Sequence, residues 1–183
     1  MRKLIFAINT TLDGCVDHAR QFVDDEILEY FTHLTREGDL QVFGRKTYEL
    51  MVPYWPEVLK SESATTAETE FARAFDAIDK IVFSRSLEPL AHRNTRIVRD
   101  DPGGEIRKLK QAPGKSILLG GVNVPSQLIQ LGLVDEYRFV VGPVLAGEGT
   151  RLLEGVSLPE KLHLKLVESK LFNSGAVALR YLK

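Results

Sequence analysis

The stretch that most constrains the fold is a short apolar run that reaches two glycines and continues into a helical pattern. The apolar run is 117–119, the glycines are Gly120 and Gly121, and helical spacing extends over 124–131. This pattern is typical of a buried strand, a tight turn and the start of a helix. Glycine lets a ligand approach the main chain, and free N–H groups at a helix start favour anions. A glycine pair after a strand is, however, more often a plain turn.

The same arrangement occurs twice more, and there it carries positive charge. Two further apolar runs, 40–43 and 80–83, are followed by polar residues. Those residues are Gly44, Arg45, Lys46 and Thr47 after the first run, and Ser84 and Arg85 after the second. Ligands of open α/β sheets bind at the carboxyl ends of strands, and Arg and Lys there suit phosphate. The alternative is a charged, solvent-exposed first turn of a helix.

Strand and helix patterns alternate through most of the chain. They predict a three-layer α/β/α sandwich with a mostly parallel sheet. Alternating residues at 162–169 and 176–182 flank a Asn-Ser-Gly turn and predict an antiparallel hairpin at one edge. Residues 1–183 are expected to form a single domain.

Several boundaries also follow from local signals. The first strand is expected over 4–8, with 21–23 as a short return segment, and 100–104 as a turn. Pro53 and Pro56 are expected to break the helix that starts after Gly44.

Acidic residues precede the second predicted element. Asp24 and Asp25 stand before a helical pattern that includes Ile27, Leu28 and Phe31. Acids at this place favour helix capping and the helix dipole. A catalytic role for either acid is the alternative reading.

Composition narrows the classes of partner. Lys and Arg number 24 and Asp and Glu 25, a net charge of −1, so nucleic acid and anionic membranes are not expected partners. The apolar N-terminal run stops at Asn9 without a cleavage site, and no stretch reaches the ~20 residues of a membrane helix. Together with the single cysteine, Cys15, this predicts a cytoplasmic protein with a buried thiol.

No metal site is expected, because the histidines lack the spacing of metal ligands. The four histidines are His18, His33, His92 and His163.

Six short motifs occur in a characteristic order. They are Thr11-Leu12-Asp13-Gly14, Gly44-Arg45-Lys46-Thr47-Tyr48, Val82-Phe83-Ser84-Arg85, Leu119-Gly120-Gly121, Gly132-Leu133-Val134-Asp135-Glu136 and Pro143-Val144-Leu145-Ala146-Gly147-Glu148-Gly149. In this order the motifs resemble the dihydrofolate reductase fold. They are most similar to the C-terminal reductase domain of the riboflavin-biosynthesis protein and its stand-alone bacterial relatives, and no preceding deaminase domain is expected.

The resemblance implies an NADPH-dependent reductase of a small heterocyclic or carbonyl substrate. The most similar activity is 5-amino-6-(5-phosphoribosylamino)uracil reduction; a pterin or dihydrofolate reductase, or a non-catalytic nucleotide-binding protein, are the alternatives. A homodimer is also implied, with the edge formed by the C-terminal strands as its expected surface.

The resemblance also implies cofactor contacts, residue by residue. The expected contacts are Gly44, Arg45, Lys46 and Thr47 with phosphates, Ser84 and Arg85 with the adenosine 2′-phosphate, Gly120, Gly121, Val122 and Asn123 with the pyrophosphate, and Ala7 with the loop from Thr11 to Gly14 beside the nicotinamide.

The expected substrate site adjoins these contacts. Dihydrofolate reductases carry a carboxylate early in the second element, where this chain has Ile27. Asp25 is therefore the expected polar substrate contact or proton relay, with Asp13 as the second candidate. Tyr30 and Trp55 are expected to line the substrate pocket, and packing in the core is the other reading for the tryptophan.

Overall fold

A computed structural model describes residues 1–88 and 94–183 and shows one mixed sheet with helices on both faces. The strands in the described residues are β1 (Leu4–Thr11), β2 (Gly38–Gly44), β3 (Asp79–Phe83), β4 (Thr95–Val98), β5 (Ser116–Leu119), β6 (Glu136–Gly142), β7 (Lys165–Leu171) and β8 (Val177–Leu182). The α-helices there are α1 (Asp25–Glu37), α2 (Arg45–Met51), α3 (Tyr54–Val58), α4 (Thr66–Ala77), α5 (Pro102–Gln111) and α6 (Asn123–Gln130), and a 3₁₀ turn covers His18–Arg20.

The strand order confirms the predicted fold class. It is β4-β3-β2-β5-β1-β6-β8-β7. All pairs from β4 to β6 are parallel, and β8 and β7 add an antiparallel hairpin at the edge. The carboxyl ends of β3, β2, β5 and β1 therefore lie next to one another along one edge of the sheet.

The alternation of side chains along β1 separates the two faces of the sheet. Leu4, Phe6 and Ile8 pack into the main core with residues of α5 and α6. Ile5 and Ala7 point to the opposite face, where they pack with α1 and with Ile78, the residue that follows α4. Odd-numbered residues of β1 therefore face α1, because successive side chains of a strand point to opposite sides.

The central strand β5 is short, and this leaves a notch at the strand-end edge. β5 pairs with β1 only as far as Phe6 and with β2 as far as Val42. The N–H of Gly120 then donates to the carbonyl of Val42 at 3.0 Å. Beyond that point β1 continues to Thr11 along β6 alone. The chain therefore leaves the sheet at Gly120 between two longer neighbours.

Helix α1 begins where the sequence predicts. The carboxylate of Asp24 accepts a hydrogen bond from the N–H of Ile27 at 2.9 Å, so Asp24 is the N-cap. Asp25 is the first residue of the helix. The capping interpretation of Asp24 is confirmed, and a side chain used in this way stabilises the helix by about 1 kcal/mol.

Helix α2 ends at Met51, just before the predicted break at Pro53, and a new helix, α3, then begins. Pro56 lies in the first turn of α3, where its missing N–H has no helical partner to lose. Pro102 likewise starts α5, and the carboxylate of Asp101 accepts from the N–H of Gly104 at 2.8 Å. The turn predicted for 100–104 is thus largely the first turn of α5.

The boundaries of the strands also differ from those predicted. β1 runs to Thr11 and not to residue 8, because its polar end is paired with β6. Residues 21–23 form no strand. The first hairpin strand starts at Lys165, and its alternation is interrupted by a shift in register between Leu166 and Glu168.

The predicted motif at 132–136 holds the opposite edge of the sheet. The carboxylate of Asp135 accepts from the N–H of Leu4 at 2.8 Å and from Nζ of Lys110 at 2.7 Å. Glu136 is fully buried and accepts from Arg138 at 2.7 Å and Arg180 at 2.8 Å. Asp135 and Glu136 therefore have a structural role.

The outer strand β7 is exposed along its whole length. It is the expected surface of a homodimer, and the dimer stays a prediction. None of the helices in the described ranges combines the length and the apolar character needed to cross a membrane.

Candidate functional site

The glycine turns after β2 and β5 pack against each other. Gly121 has a φ of +85°, and a Cβ at this position would clash with Oγ1 of Thr47. A Cβ on Gly44 would lie 3.3 Å from Cγ2 of Val124, in the first turn of α6. The two glycine motifs that the sequence singled out therefore lie side by side at one end of the sheet.

The third strand end joins the same site. Nη1 of Arg45, in the first turn of α2, donates to Oγ of Ser86 at 3.0 Å. Oγ of Ser84 accepts from the N–H of Leu87 at 3.0 Å, which fixes the turn after β3. The ends of β3, β2 and β5 thus form a continuous row, as the sheet order requires.

Arg99 stabilises this third turn. Its guanidinium donates to the carbonyls of Arg85 at 2.8 Å and Leu87 at 3.0 Å. Arg99 was not among the predicted site residues, although it is a cation that follows the end of a strand, as Arg85 is. Arg99 is a positioning residue for the turn that carries Arg85.

Three exposed cations line this row. The Arg85 side chain is 87% exposed and lies 3.6 Å from Asp100, while Arg45 lies 3.4 Å from Glu49. Lys46 is exposed and makes no ion pair among the described residues. Exposed ion pairs of this kind contribute little, so a phosphate can replace the carboxylate partners at low cost.

The row has the space and donors that a phosphate-bearing ligand needs. A Cβ on Gly120 would meet nothing within 4 Å, so open space lies directly against the main chain. Helix α6 begins after Val122 without a side-chain cap, which leaves its first N–H groups for another acceptor. These features fit a pyrophosphate at Gly120, Gly121, Val122 and Asn123.

The loop after β1 is held by Asp13. Its carboxylate accepts from Oγ1 of Thr11 at 2.5 Å, from the N–H of Ala146 at 3.0 Å and from the N–H of Gly147 at 2.8 Å. These hydrogen bonds, with that from Thr11 largest, hold the pKa of Asp13 well below its usual range. The geometry therefore favours a structural role for Asp13 over that of a proton donor.

Neighbouring residues extend this loop-to-loop contact. The carboxylate of Asp17 accepts from the N–H of Thr150 at 3.0 Å, and the N–H of Leu12 donates to Val144 at 2.9 Å. Gly14 turns the chain with a φ of +80°. Cys15 lies fully buried beneath, as predicted for a structural thiol.

Asp25 connects two helices. Its carboxylate accepts from Oγ1 of Thr65, the N-cap of α4, at 3.0 Å. The side chain is exposed in the first turn of α1, near the strand-end edge. A substrate role for Asp25 stays a prediction.

The two expected substrate-binding aromatics pack in different clusters. Tyr30 lies on Phe172 with ring centroids 5.9 Å apart, and burial raises its pKa. Trp55 packs on Phe71 at 4.5 Å. Phe31 lies between the two clusters and packs against both. The structure does not bring Tyr30 and Trp55 together, so their substrate role stays a prediction.

Ala7 and Asn9 lie beyond the last pair between β1 and β5, beside the notch. Ala7 is half-buried on the face of the sheet that packs against α1. Asn9, which the sequence analysis treated only as the end of a strand, follows it on the same face. The only feature of the sequence that could have pointed to Asn9 is that it is a polar residue within a strand.

No group of three or more His, Cys, Asp or Glu side chains suited to a metal ion occurs in residues 1–88 and 94–183. His92 lies outside the described residues.

Comparison with known proteins gives a consistent family. The family described as the RibD C-terminal domain matches residues 2–178. The uncharacterized protein YyaP of Bacillus subtilis (strain 168) is 34% identical over 184 residues, which cover 98% of this chain and 94% of YyaP.

Solved structures share the fold at low identity. A putative riboflavin biosynthesis protein from Shewanella sp. PV-4 superposes with a TM-score of 0.73 at 17% identity, covering 98% of both chains. A diaminohydroxyphosphoribosylaminopyrimidine deaminase/5-amino-6-(5-phosphoribosylamino)uracil reductase from Thermotoga maritima gives 0.68 at 17% identity. That match covers 99% of this chain and 56% of the Thermotoga chain.

Proposed function

Because the chain belongs to the RibD C-terminal domain family, we propose that it is an NADPH-dependent reductase of a small heterocyclic or carbonyl substrate. The activity we propose as nearest is the reduction of 5-amino-6-(5-phosphoribosylamino)uracil. The observation that carries the proposal is the contact between the strand ends, where Gly121 meets Thr47 and Arg45 meets Ser86.

The cofactor would lie along the row of strand ends. Arg85, on the turn fixed by Arg99, would bind the adenosine 2′-phosphate with Ser84. Arg45 and Lys46 would neutralise phosphate charge in the middle of the row. A site with three exposed cations suits NADPH, which carries the additional 2′-phosphate, better than NADH, which lacks it.

The bound cofactor would supply the hydride, and the chain would supply binding and orientation. The substrate would lie between the end of β1 and the first turn of α1, close to Asp25. Ile27, at the place of the dihydrofolate reductase carboxylate, is fully buried against Val140 and Phe172. An apolar, buried side chain there supports a riboflavin-type substrate over a pterin that needs a carboxylate.

The cofactor assignment is tested by titrating the protein with NADPH and NADH and following cofactor fluorescence. We expect tighter binding of NADPH, and we expect Arg85→Ala to reduce that preference about tenfold, since one charge-assisted contact is lost. Arg107→Ala, an exposed arginine on α5, is the matched control and should leave the preference unchanged. Failure of the wild-type chain to bind either cofactor would overturn the proposal.

Turnover separates a reductase from a nucleotide-binding protein. NADPH oxidation is followed with 5-amino-6-(5-phosphoribosylamino)uracil and, in parallel, with dihydrofolate. Oxidation with the aminopyrimidine supports the proposed substrate class, and oxidation with dihydrofolate alone contradicts it. Tight NADPH binding without oxidation by either compound would favour the non-catalytic alternative.

A further inference from the structure

The side chain of Asn9 leaves a buried hydrogen-bonding atom without a partner. Its Oδ1 is inaccessible to solvent and accepts no hydrogen bond, and no hydrogen bond from its Nδ2 exists among the described residues. The main-chain carbonyl of Asn9 is satisfied, because Nε2 of Gln21 donates to it at 2.9 Å. The backbone is therefore fixed. Nδ2 of Asn9 is not among the buried unpaired atoms, so a half-turn about the terminal side-chain torsion would bring Oδ1 to the accessible side of the amide. Buried polar groups in native proteins are paired in the great majority of cases, so this exception needs a reason.

The position of Asn9 in the fold supplies a reason for its unpaired amide. Asn9 lies in the part of β1 that has passed the end of β5, next to the notch at Gly120. As an odd-numbered residue of β1 it faces α1, like Ala7. The unpaired amide therefore lies at the same edge as the turns that meet at Thr47 and Gly121.

Other buried unpaired side-chain oxygens in the described residues lie elsewhere. They belong to Gln41, Thr95 and Ser174. Gln41 lies inside β2, Thr95 begins β4 at the opposite edge of the sheet, and Ser174 is in the hairpin turn. Within this group, Asn9 alone belongs to the strand-end row.

The order of the strands predicts which part of a dinucleotide reaches Asn9. With the adenosine phosphate at β3 and β2 and the pyrophosphate at β5, the next strand end is β1. Strands are about 4.8 Å apart, so β1 lies roughly 14 Å from β3. An extended dinucleotide that follows this row places its nicotinamide ring at the end of β1.

We propose that the Asn9 amide binds the carboxamide of the nicotinamide ring and fixes the orientation of the ring at the end of β1. The unpaired atom of Asn9 is an acceptor, and the carboxamide NH₂ is the donor on that ring. The Nδ2 of Asn9 complements the carboxamide oxygen. This inference rests on the proposed NADPH function and adds a specificity residue to it.

The test is calorimetric titration of wild type and Asn9→Leu with NADP⁺ and two related probes. One is the 3-acetylpyridine analogue of NADP⁺, in which a methyl ketone replaces the carboxamide; the other is 2′,5′-ADP, which lacks the nicotinamide. We expect Asn9→Leu to weaken NADP⁺ binding about tenfold, to remove the preference for NADP⁺ over the analogue, and to leave 2′,5′-ADP binding unchanged.

A thermal unfolding measurement separates this role from a structural one. Leucine has the branched shape of asparagine and replaces its unpaired buried amide by apolar groups, so Asn9→Leu should unfold at an equal or higher temperature than wild type. Gln41→Leu is the matched control, because it removes another unpaired amide away from the strand ends. It should keep wild-type affinity for all three probes.

Two results would overturn the inference while the proposed function stands. One is wild-type NADP⁺ affinity in Asn9→Leu, and the other is equal weakening of NADP⁺ and 2′,5′-ADP. If the wild-type chain binds none of the three probes, the proposed function itself fails.

Discussion

Gly121 can adopt its position against Thr47 only because it has no side chain. The φ of +85° disfavours other residues, and a Cβ would overlap Oγ1 of Thr47. Two turns that are far apart in sequence are thereby brought into direct contact at one end of the sheet. This contact is the structural basis of the proposed cofactor site.

We expect Gly121→Ala to weaken NADPH binding at least tenfold and to destabilise the fold by about 1–3 kcal/mol, because the turn must move away from Thr47. Gly147→Ala is the matched control. Gly147 has a similar φ of +75°, but a Cβ there meets nothing within 4 Å. The measurements are NADPH titration and urea unfolding, and equal effects of the two substitutions on NADPH affinity would contradict the assigned contact.

Asp13→Asn is expected to loosen the loop at 144–150. The asparagine NH₂ would face one of the N–H groups of Ala146 and Gly147, and two donors cannot pair. Hydrogen exchange of the loop amides should therefore increase. Asp25→Asn, which alters one exposed hydrogen bond from Thr65, should leave that loop unchanged.

The pH dependence of Asp13 has a defined sign. Its pKa is lowered in the folded protein, so its contribution to stability is present above the unfolded-state pKa of about 3.9 and is lost as pH falls through the folded value. The difference in stability between wild type and Asp13→Asn should therefore shrink in acid. A difference that is constant from neutral pH down to pH 2 would argue against this assignment.

Lys80 makes stability depend on pH in the alkaline range. It is 3% exposed, and burial lowers its pKa to about 8. The unfolded chain, with a pKa of about 10.4, binds more protons between these values, so wild-type stability rises with pH there. We expect Lys80→Met to be more stable at pH 7, with an advantage that narrows by up to about 1.4 kcal/mol per pH unit above pH 8.

The Lys80→Met substitution leaves the neighbouring carbonyl groups hydrogen-bonded. Lys80 donates to the carbonyls of Asp76 and Ile78, and Nδ2 of Asn94 donates to both as well. Lys108→Met, at an exposed position of α5, is the control and should show no such trend. Urea unfolding between pH 7 and 10 provides the measurement, and parallel pH curves for wild type and Lys80→Met would contradict the proton linkage.

The sheet and the meeting of three strand ends at one edge could be predicted because they depend on local signals. Apolar runs that end in glycine or a cation mark strand ends, and parallel order brings Gly44, Ser84 and Gly120 to one edge. Asp24 could be assigned as a cap because capping involves neighbours in sequence. Such features need no knowledge of distant contacts.

The remaining features depend on distant contacts. The role of Asp13 depends on the main-chain amides of residues 146 and 147, and the packing of the Tyr30 ring depends on Phe172. The short helix α3 was not predicted, because a proline in a first helical turn, such as Pro56, and one that ends a helix give the same local pattern. Asn9 became significant only when its lack of a partner in the folded chain was visible.

The insertion of β5 between β1 and β2 also has a consequence for folding. Until residues 116–119 are synthesised and docked, β1 and β2 have no hydrogen-bonding partner for their facing edges. The nascent chain therefore exposes two apolar strand edges, which are templates for intermolecular pairing. Docking of β5 covers both facing edges and allows the contact between Gly121 and Thr47 in the same step, so the ability to bind a nucleotide would appear only in chains in which these two edges are no longer exposed.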